Sequence, residues 1–323
     1  MIIERTEPWG ILRYDTQAHR FSYIQRDPKE TGPYASEPAV LNVVTTRNCN
    51  LDCVHCVAKD FKGIVDQDLV ISESLTDWVN ASPFMLVVLT GGEPLLPPYD
   101  EICRRFIESL TGKGVILDSN GTITPSEQMI RCLVKNDVMI RVSMDSIQPT
   151  EEIRLRRVRD GQMSRRLYSE KVERIDWLVR SGIYTAVQTV VWRKNTQGLL
   201  QMVDWLAEHG IKQWYLQRLI PSHRFKTPPL RHWMTPLDYL KAIEELSRRC
   251  AEVGVQCIAK RDLRHNSVYL LMADGLIYTQ GSEPGKKVKL GSICERFEFF
   301  DYVSAADHAT RYYLTAKNFE EGK

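Results

Sequence analysis

Six short runs of β-branched and other apolar residues alternate with segments of helical periodicity through most of this 323-residue chain. The apolar runs lie at 40–45, 85–89, 114–118, 138–144, 184–191 and 213–219. The helical segments lie at 72–80, 99–111, 126–136, 165–181 and 197–209. Strands that alternate with helices pair in parallel, because each helix returns the chain to the same edge of the sheet. The pattern predicts an α/β fold, either an open sheet or a partial barrel.

The same pattern divides the chain into three parts. Residues 1–38 contain a hairpin-like pair of segments, 10–14 and 21–24, and a proline-containing lead-in. Residues 39–235 hold the strand–helix alternation, and residues 236–323 form a C-terminal extension. We expect the extension to be a small α+β unit with a helix at 236–252, short strands at 255–259, 267–272 and 276–279, and a helical tail at 293–323.

Composition and charge exclude several classes of protein. With 43% hydrophobic and 26% charged residues, the chain is an ordinary folded protein rather than a disordered or fibrous one. A formal net charge of +2 implies no nucleic-acid partner held by bulk electrostatics. The apolar run at 84–89 is far too short to span a membrane. The first residues lack the apolar core of a signal peptide, so we expect a cytoplasmic protein with no membrane partner.

The eight cysteines separate into one cluster of three and five scattered residues. Cys49, Cys53 and Cys56 form a C-x3-C-x2-C run soon after the strand predicted at 40–45. Three thiolates at this spacing can ligate one iron–sulfur cluster and leave one iron open to another ligand. A structural zinc site would want a fourth ligand, and both zinc and unligated thiols remain alternatives. Cys103 and Cys132 lie on apolar helix stripes and are predicted to be core thiols.

A second motif, Gly91-Gly92-Glu93-Pro94, follows the run at 85–89. Glycines let a ligand approach the backbone closely, and the carbonyl groups of such a turn can accept hydrogen bonds from a cationic amine. Glu93 adds a nearby negative charge. Taken alone, the motif is also typical of an ordinary turn that ends a strand.

Together, the two motifs resemble the radical S-adenosylmethionine (radical SAM) superfamily. Three further segments resemble the family's motifs in the same order: Ser119-Asn120-Gly121, residues 142–146, and residues 187–191 with Asn195. The resemblance covers roughly residues 39–235. It implies a partial (β/α)6 TIM-like barrel with a [4Fe–4S] cluster, whose fourth iron is chelated by the amino and carboxylate groups of S-adenosyl-L-methionine (AdoMet).

The resemblance also implies roles for single residues. The metal ligands would be Cys49, Cys53 and Cys56. The cofactor-binding residues would be His55 beside the adenine, Gly91, Gly92 and Glu93 at the methionyl amino group, Ser119, Asn120 and Ser143 at the ribose or carboxylate, Arg156 at the carboxylate, and the backbone of Val190 at the adenine. An exposed loop histidine remains the alternative for His55, and a solvated helix face remains the alternative for the arginine run around Arg156.

The C-terminal extension resembles the auxiliary (SPASM/Twitch-like) domain of peptide-modifying members, without the cysteines that would hold a further cluster. Thr279 and Gln280 stand where a cysteine is expected after the Asp-Gly turn. Cys250, Cys257 and Cys294 form no C-x2-C pair. Buried structural thiols are the favoured interpretation. The alternatives are a second cluster and a hydrogen-donating thiol in the active site, for which Cys294 is the candidate; no other catalytic residue is assigned.

The resemblance implies a radical SAM enzyme that abstracts a hydrogen atom from a metabolite or peptide in natural-product or cofactor biosynthesis. The expected partner is an external one-electron reductant of the flavodoxin or ferredoxin type. The alternatives are a peptide maturase or epimerase with a C-terminal cysteine as hydrogen donor, and a non-catalytic iron–sulfur or zinc protein. The sequence does not fix the substrate. The residues expected to face it are Gln188, Trp214, Gln217 and Arg218, and alternation along the strand leaves open whether Trp214 or Tyr215 points inward.

Overall fold

The computed structural model describes residues 1–27, 37–56, 58, 71–158, 165–219, 234–259, 269–280, 287–294 and 320–321. It begins with a small antiparallel sheet of β1 (Ile2–Glu7), β2 (Gly10–Asp15) and β3 (Arg20–Gln25). Strands β2 and β3 match the predicted hairpin. Strand β1 was not predicted, because it is an edge strand with mostly accessible side chains and lacks the apolar alternation of a half-buried strand.

Six parallel strands follow and confirm the predicted α/β fold. They are β4 (Val40–Thr46), β5 (Leu86–Gly91), β6 (Gly114–Ser119), β7 (Met139–Ser143), β8 (Thr185–Val191) and β9 (Gln213–Arg218). The helices are α1 (Glu73–Ala81), α2 (Tyr99–Ser109), α3 (Glu127–Lys135), α4 (Pro149–Leu155), α5 (Arg165–Arg180), α6 (Thr196–Glu208) and α7 (Pro236–Glu252). The strands stand side by side in sequence order, as a partial barrel requires.

Short polar side chains set the start of several helices. The side-chain oxygens of Ser72, Ser126 and Thr235 accept hydrogen bonds from backbone N–H groups three residues ahead, at 3.1, 3.2 and 3.1 Å. Each bond satisfies one N–H group that the first turn of a helix leaves without a partner. Pro236 occupies the first turn of α7, where its missing N–H is harmless.

The two faces of the sheet carry different residues. Val187 and Trp214 belong to the main core against the helices, whereas Ala186 belongs to a second core on the opposite, concave face, with Tyr215 packed against it. Side chains alternate along a strand, so Tyr215 and Gln217 point inward and Trp214 points to the helices. The expectation that Trp214 faces the substrate is therefore wrong, because its side chain is buried against the helices.

The small N-terminal sheet closes one end of the concave face. Trp9, Leu12 and Tyr14 pack against Ile116 and Met139 of the strands, all of them buried. Gly114 permits this approach, since a Cβ atom there would lie only 2.1 Å from the Tyr14 ring. The carboxyl ends of the strands are at the other end, where α/β barrels hold their sites.

Strands of the predicted extension continue the same sheet. The strand β10 (Gln256–Ala259) pairs with β9, while β11 (Tyr269–Leu271) pairs with β4 and leads to β12 (Leu276–Gln280) and β13 (Lys287–Ser292). Of the tail predicted to be helical, the structure describes a turn at 293–294 and the strand β14 (Glu320–Glu321), which pairs with β3, so the helical prediction is wrong there. The rest of the tail lies outside the described residues. No described helix is long and apolar enough to cross a membrane.

Candidate active site

The glycine turn after β5 lies against the segment that follows β4. Gly92 N donates to Thr46 O at 2.6 Å, and Glu93 N donates to Asn48 O at 2.8 Å. A Cβ atom on Gly91 would lie 2.3 Å from Thr46 O, and one on Gly92 would lie 2.0 Å from Asn48 O. The close backbone approach that requires glycine is therefore an approach to the chain itself, which joins the turn to the start of the cysteine loop (residues 49–56).

Glu93 joins this turn to the turn after β6. Its side chain is fully buried, and its two carboxylate oxygens accept hydrogen bonds from Ser119 Oγ at 2.9 Å, Asn120 N at 2.7 Å and Leu95 N at 3.1 Å. Burial raises the pKa of Glu93 to about 7, against the opposing effect of these three donors. The carboxylate is thus largely committed to holding two strand-end turns together.

Asn120 continues the connection to the cysteine loop. Its amide nitrogen donates to Asn50 Oδ1 at 2.8 Å and lies 3.6 Å from Cys49 Sγ, while its amide oxygen accepts from Thr122 N at 2.8 Å. Leu51 N also donates to Cys49 Sγ, at 3.4 Å. Two N–H donors therefore surround this sulfur. Burial raises the pKa of the Cys49 thiol, and these two donors oppose that effect by stabilising the thiolate, the form that binds metal.

The rest of the cysteine loop is held by the last residue of α4 and the segment that follows it. Val54 N donates to Leu155 O at 2.9 Å, and Leu51 forms a β-bridge with Val158. Cys53 is buried, and burial raises the pKa of its thiol to about 11, against the opposing effect of the Arg156 guanidinium. Because a metal binds the thiolate, metal binding would have to release the proton of this thiol despite its raised pKa.

The arrangement of these thiols is compatible with a cluster. No three His, Cys, Asp or Glu side chains within the described ranges converge on a point where one metal ion could sit. In a cubane each cysteine ligates its own iron, so the three sulfurs need not converge. Cys49, Cys53 and Cys56 come from one short loop at the carboxyl edge of the sheet, as that arrangement requires.

Asp145, at the turn after β7, is the centre of a buried set of charged groups. Its Oδ2 lies 2.9 Å from Arg156 Nε and 3.2 Å from His55 Nε2. Its Oδ1 accepts a hydrogen bond from Val190 N at 2.8 Å. Burial raises the pKa of Asp145, but Arg156 and His55 outweigh burial and leave the pKa below its ordinary value. Burial lowers the pKa of His55, against the opposing effect of the Asp145 carboxylate.

Two of these atoms remain short of a partner. Arg156 Nε and Asp145 Oδ2 are buried, and neither makes a well-aligned hydrogen bond within the part of the chain that the structure describes. The two atoms form an ion pair at 2.9 Å. Buried polar atoms in native proteins are nearly always hydrogen-bonded. A ligand that brings its own charged groups, such as the ammonium and carboxylate of an amino acid, fits this position.

The structure shows where the remaining expected residues lie. His55 is buried against Asp145, which excludes the exposed-loop alternative, and Arg156 is 6% exposed, which excludes the solvated-face alternative. Val190 already uses its N–H on Asp145 and its carbonyl on Asn195 Nδ2, at 2.9 Å. The Ser143 hydroxyl makes no hydrogen bond with the described residues, whereas Ser143 O accepts from Lys171 Nζ at 2.6 Å.

Cysteines of the extension lie apart from this centre. Cys250 and Cys257 hydrogen-bond to each other between α7 and β10, on the helix side of the sheet. Cys294 is exposed at the end of β13. Because β13 runs in the same direction as β4, Cys294 lies at the carboxyl edge, three strand spacings or roughly 14 Å from β4.

Sequence reasoning missed two residues of this region, Glu152 and Lys171. Glu152 Oε2 accepts from the backbone N–H groups of Asp145 and Ser146, and its Oε1 lies 2.6 Å from Lys171 Nζ. The available signal was Lys171 itself, which occupies the apolar stripe of α5 shared with Ile175 and Leu178. A lysine on a buried stripe indicates a buried acidic partner.

Comparisons with known proteins agree with the geometry. The sequence model of the radical SAM superfamily matches residues 43–212, just over half of the chain. An AdoMet-dependent heme synthase of Methanosarcina barkeri is 25% identical over 190 residues, 58% of this chain and 52% of that protein. A 7-carboxy-7-deazaguanine synthase of Bacteroides thetaiotaomicron is 31% identical over 125 residues, 38% of this chain and 64% of that protein. The chain thus spans about half the length of the curated relatives it matches.

Solved structures extend the likeness in fold. Streptococcus suis SuiB bound to S-adenosylmethionine has a TM-score of 0.68 at 10% identity, over 97% of this chain and 89% of that one. Native anSMEcpe with bound AdoMet has a TM-score of 0.65 at 17% identity, over 84% of this chain and 83% of that one. The chain therefore belongs to the radical SAM superfamily, whose enzymes use a [4Fe–4S] cluster and AdoMet.

Proposed function

We propose that Cys49, Cys53 and Cys56 hold the [4Fe–4S] cluster, and that the protein abstracts a hydrogen atom from a metabolite or peptide. When bound, the cluster and AdoMet supply a one-electron cleavage that yields a 5′-deoxyadenosyl radical, which can take hydrogen from an unactivated C–H bond. An external reductant of the flavodoxin or ferredoxin type delivers the electron. The protein itself binds AdoMet and the substrate, orients them relative to each other, and excludes water from the site.

The observation that carries this proposal is the position of Asn120. One amide joins the cysteine loop, through Cys49 and Asn50, to the turn after β6, and the backbone of the same residue joins that turn to Glu93. A loop with three cysteines is thereby fixed against the two turns that carry the other motifs. A protein that only stored iron or zinc would need the loop but not its connection to these turns.

Arg156 and Asp145 are the residues that we assign to the polar end of AdoMet. Arg156 is buried with a guanidinium nitrogen that lacks an aligned acceptor among the described residues, and a carboxylate would supply one. The hydroxyl of Ser143, which has no partner among the described residues, lies at the end of the neighbouring strand β7. Val190 keeps a second lone pair on its carbonyl oxygen, which is the backbone group left for the adenine. Gly91, Gly92 and Glu93 complete the proposed amine site through backbone carbonyl groups.

A peptide substrate is the second candidate, favoured by how far the likeness in fold extends. The match to SuiB covers 97% of this chain, so it includes residues before and after the part that matches the superfamily. SuiB has been solved with its precursor peptide SuiA, and anSMEcpe with the peptide Cp18Cys. In this version the protein is a peptide maturase or epimerase, and Cys294 at the carboxyl edge is the proposed hydrogen donor.

Anaerobic reconstitution with iron and sulfide tests the proposal. We expect about four iron per chain, the content of one cubane, with broad absorbance near about 400 nm, and 5′-deoxyadenosine when dithionite and AdoMet are added. The variants Cys49→Ala, Cys53→Ala and Cys56→Ala should each lose the 5′-deoxyadenosine. Cys257→Ser, outside the loop, is the matched control and should keep both iron and product.

The same experiment separates the alternatives. Zinc in place of iron, without the absorbance, would support the zinc protein. An intact cluster that never cleaves AdoMet would support the non-catalytic iron–sulfur protein. Iron near about eight per chain, or about four surviving in the triple cysteine variant, would mean that a second cluster exists in the extension.

A further inference from the structure

Gln188 lies on the concave face of the barrel, immediately beside the proposed cofactor site. Its neighbour Thr189 donates to Met144 O and contacts Met202 of α6, so Thr189 points to the helices. Alternation then puts Gln188 on the opposite face with Ala186. Across the strands, Gln188 is the register partner of Ser143 on one side and Tyr215 on the other.

The side-chain amide of Gln188 is uncommitted. Its Oε1 is buried, and neither it nor the amide nitrogen makes a hydrogen bond within the described part of the chain. The side chain as a whole is half-buried, so part of it is reachable from the concave face. The terminal torsion of glutamine is broad, so the amide can turn either atom toward a ligand. A buried amide oxygen without a donor is unusual in a native protein, and here none of the described residues supplies one, which favours a donor on a ligand.

Among the described residues, the concave face near Gln188 carries an ion pair and a tyrosine. Arg141 binds Asp118 through two hydrogen bonds, at 2.7 and 2.9 Å, and its guanidinium lies 4.7 Å from the centre of the Tyr215 ring. The two opposite charges offset each other. Tyr215 donates its hydroxyl hydrogen to Gln213 Oε1 at 3.1 Å, away from Gln188. The concave face here suits a neutral group that both donates and accepts, rather than an anion or a cation.

We propose that Gln188 determines substrate specificity by binding a peptide bond of the substrate. The peptide N–H donates to Oε1, the peptide carbonyl accepts from Nε2, and the adjacent C–H bond is held toward the end of β7 where Ser143 marks the cofactor site. The proposal rests on the proposed function and narrows its substrate to a peptide. A peptide bond matches the paired donor and acceptor of an amide. Because Asp118 and Arg141 pair with each other, neither charge favours a charged ligand over a neutral peptide bond.

The test uses the reconstituted protein with AdoMet and dithionite, and pooled hexapeptides with blocked termini as the probe. The quantity measured is the ratio of 5′-deoxyadenosine formed with and without peptide, so that any change in the rate without peptide cancels. We expect at least one pool to raise this ratio severalfold for the wild type. Gln188→Met, of similar size but without hydrogen bonds, should raise the half-saturating peptide concentration by about fivefold to tenfold. Gln201→Met on the exposed face of α6 is the matched control and should leave it unchanged.

Ester analogues identify the bond concerned. In each analogue, oxygen replaces the N–H of one peptide bond of the active peptide. For the wild type, the replacement at one position should raise the half-saturating peptide concentration. In Gln188→Met, the same replacement should have little further effect. Gln188→Glu, which keeps an acceptor but loses the donor when ionised, should give an intermediate loss and covers the case in which the methionine variant does not fold. The proposal is overturned if no pool raises the ratio, or if Gln188→Met responds as the wild type does. Failure of the proposed function is distinct, because 5′-deoxyadenosine would then be absent even without peptide.

Discussion

Lys171 Nζ lies 2.6 Å from Glu152 Oε1, and neither side chain is accessible to solvent. Lys171 also donates to Ser143 O at 2.6 Å, so one ammonium connects α5, α4 and the end of β7. Burial lowers the pKa of Lys171, against the opposing effect of Glu152. This pair supports the region from which Asp145 and Arg156 extend.

Lys171→Met should therefore be strongly destabilising. It leaves Glu152 with two backbone donors and with Arg156 Nε at 3.5 Å, but without its ammonium at 2.6 Å. Loss of one partner of a buried ion pair typically costs about 3–5 kcal/mol, and the remaining Arg156 contact puts the expected loss toward the lower end. Urea unfolding of the protein without cluster measures the effect. The double variant Lys171→Met, Glu152→Gln should recover part of the loss, because no charge is then left unpaired. Arg166→Met, which breaks the exposed Arg166–Glu170 pair, is the control and should change little. Equal effects of Arg166→Met and Lys171→Met would contradict this account.

Gly92→Ala should damage the cysteine loop rather than only block a ligand. The added Cβ would lie 2.0 Å from Asn48 O, the acceptor of the hydrogen bond from Glu93 N. The new Cβ and Asn48 O would overlap, and both are atoms of the protein, so the backbone must shift. We therefore expect a loss of about 1–3 kcal/mol in the free energy of unfolding and less iron after reconstitution.

A matched glycine gives the control for that experiment. A Cβ on Gly198, in α6, meets nothing within 4 Å, so Gly198→Ala should keep its iron and gain up to about 1 kcal/mol. Full iron and full stability in Gly92→Ala, with weaker AdoMet binding measured by calorimetry, would instead mean that the glycine serves the ligand, as the sequence alone suggested.

Asn120→Ala should lower the iron content through Cys49. The variant removes the donor 3.6 Å from Cys49 Sγ and the bond to Asn50 that orients the loop. Asn136 offers a close control, because its amide nitrogen also lies 3.6 Å from a cysteine sulfur, that of Cys132 in α3. Iron analysis after reconstitution should show a loss in Asn120→Ala and none in Asn136→Ala. A similar iron content in both would remove Asn120 from the proposed site.

The sequence predicts the strands of the barrel and all of its longer helices because each is long enough for its period to be visible, whereas the seven-residue α4 was not predicted. The segment 126–136, for example, combines the cap Ser126 with buried Met129, Cys132 and Leu133, and the helix forms within a residue of the expected bounds. Strands at the edge of a sheet have a weaker hydrophobic pattern in the sequence. Strand β1 exposes most of its side chains, and β13 is only identifiable through its pairing with β12.

The motifs could be located in the sequence, but their internal connections could not. Glu93 was expected to receive an amine, yet both of its oxygens accept from the protein, since it is buried between two turns. The bond between Asp145 and Val190 N joins residues that are 45 positions apart. Contacts of this kind depend on the curvature of the sheet and on register, neither of which a single sequence reveals.

His19 should make stability depend on pH. It is 3% exposed beneath the barrel, its ring lies 4.6 Å from that of Tyr184, and its Nδ1 lies 3.3 Å from the Tyr14 hydroxyl. Burial lowers its pKa to about 4, outweighing Asp137 and Asp15. Above pH 6.5 the imidazole is neutral in both the folded and unfolded chains and contributes no pH dependence. As the pH falls from 6.5 to 4, the unfolded chain takes up the proton and the folded chain does not. The free energy of unfolding therefore falls by up to about 3 kcal/mol.

His19→Asn isolates this contribution, because asparagine tolerates the positive φ of 47° at this position. The expected result is that urea unfolding at pH 7 and pH 5 shows a smaller difference in the variant than in the wild type. Glu93, whose pKa is raised to about 7, acts with the opposite sign: between pH 4.5 and 7 the folded chain holds the proton more tightly, so stability rises as the pH falls. That effect is present in both proteins and cancels in the comparison. Equal pH dependence in wild type and variant would show that His19 is protonated in the folded protein as readily as in the unfolded chain.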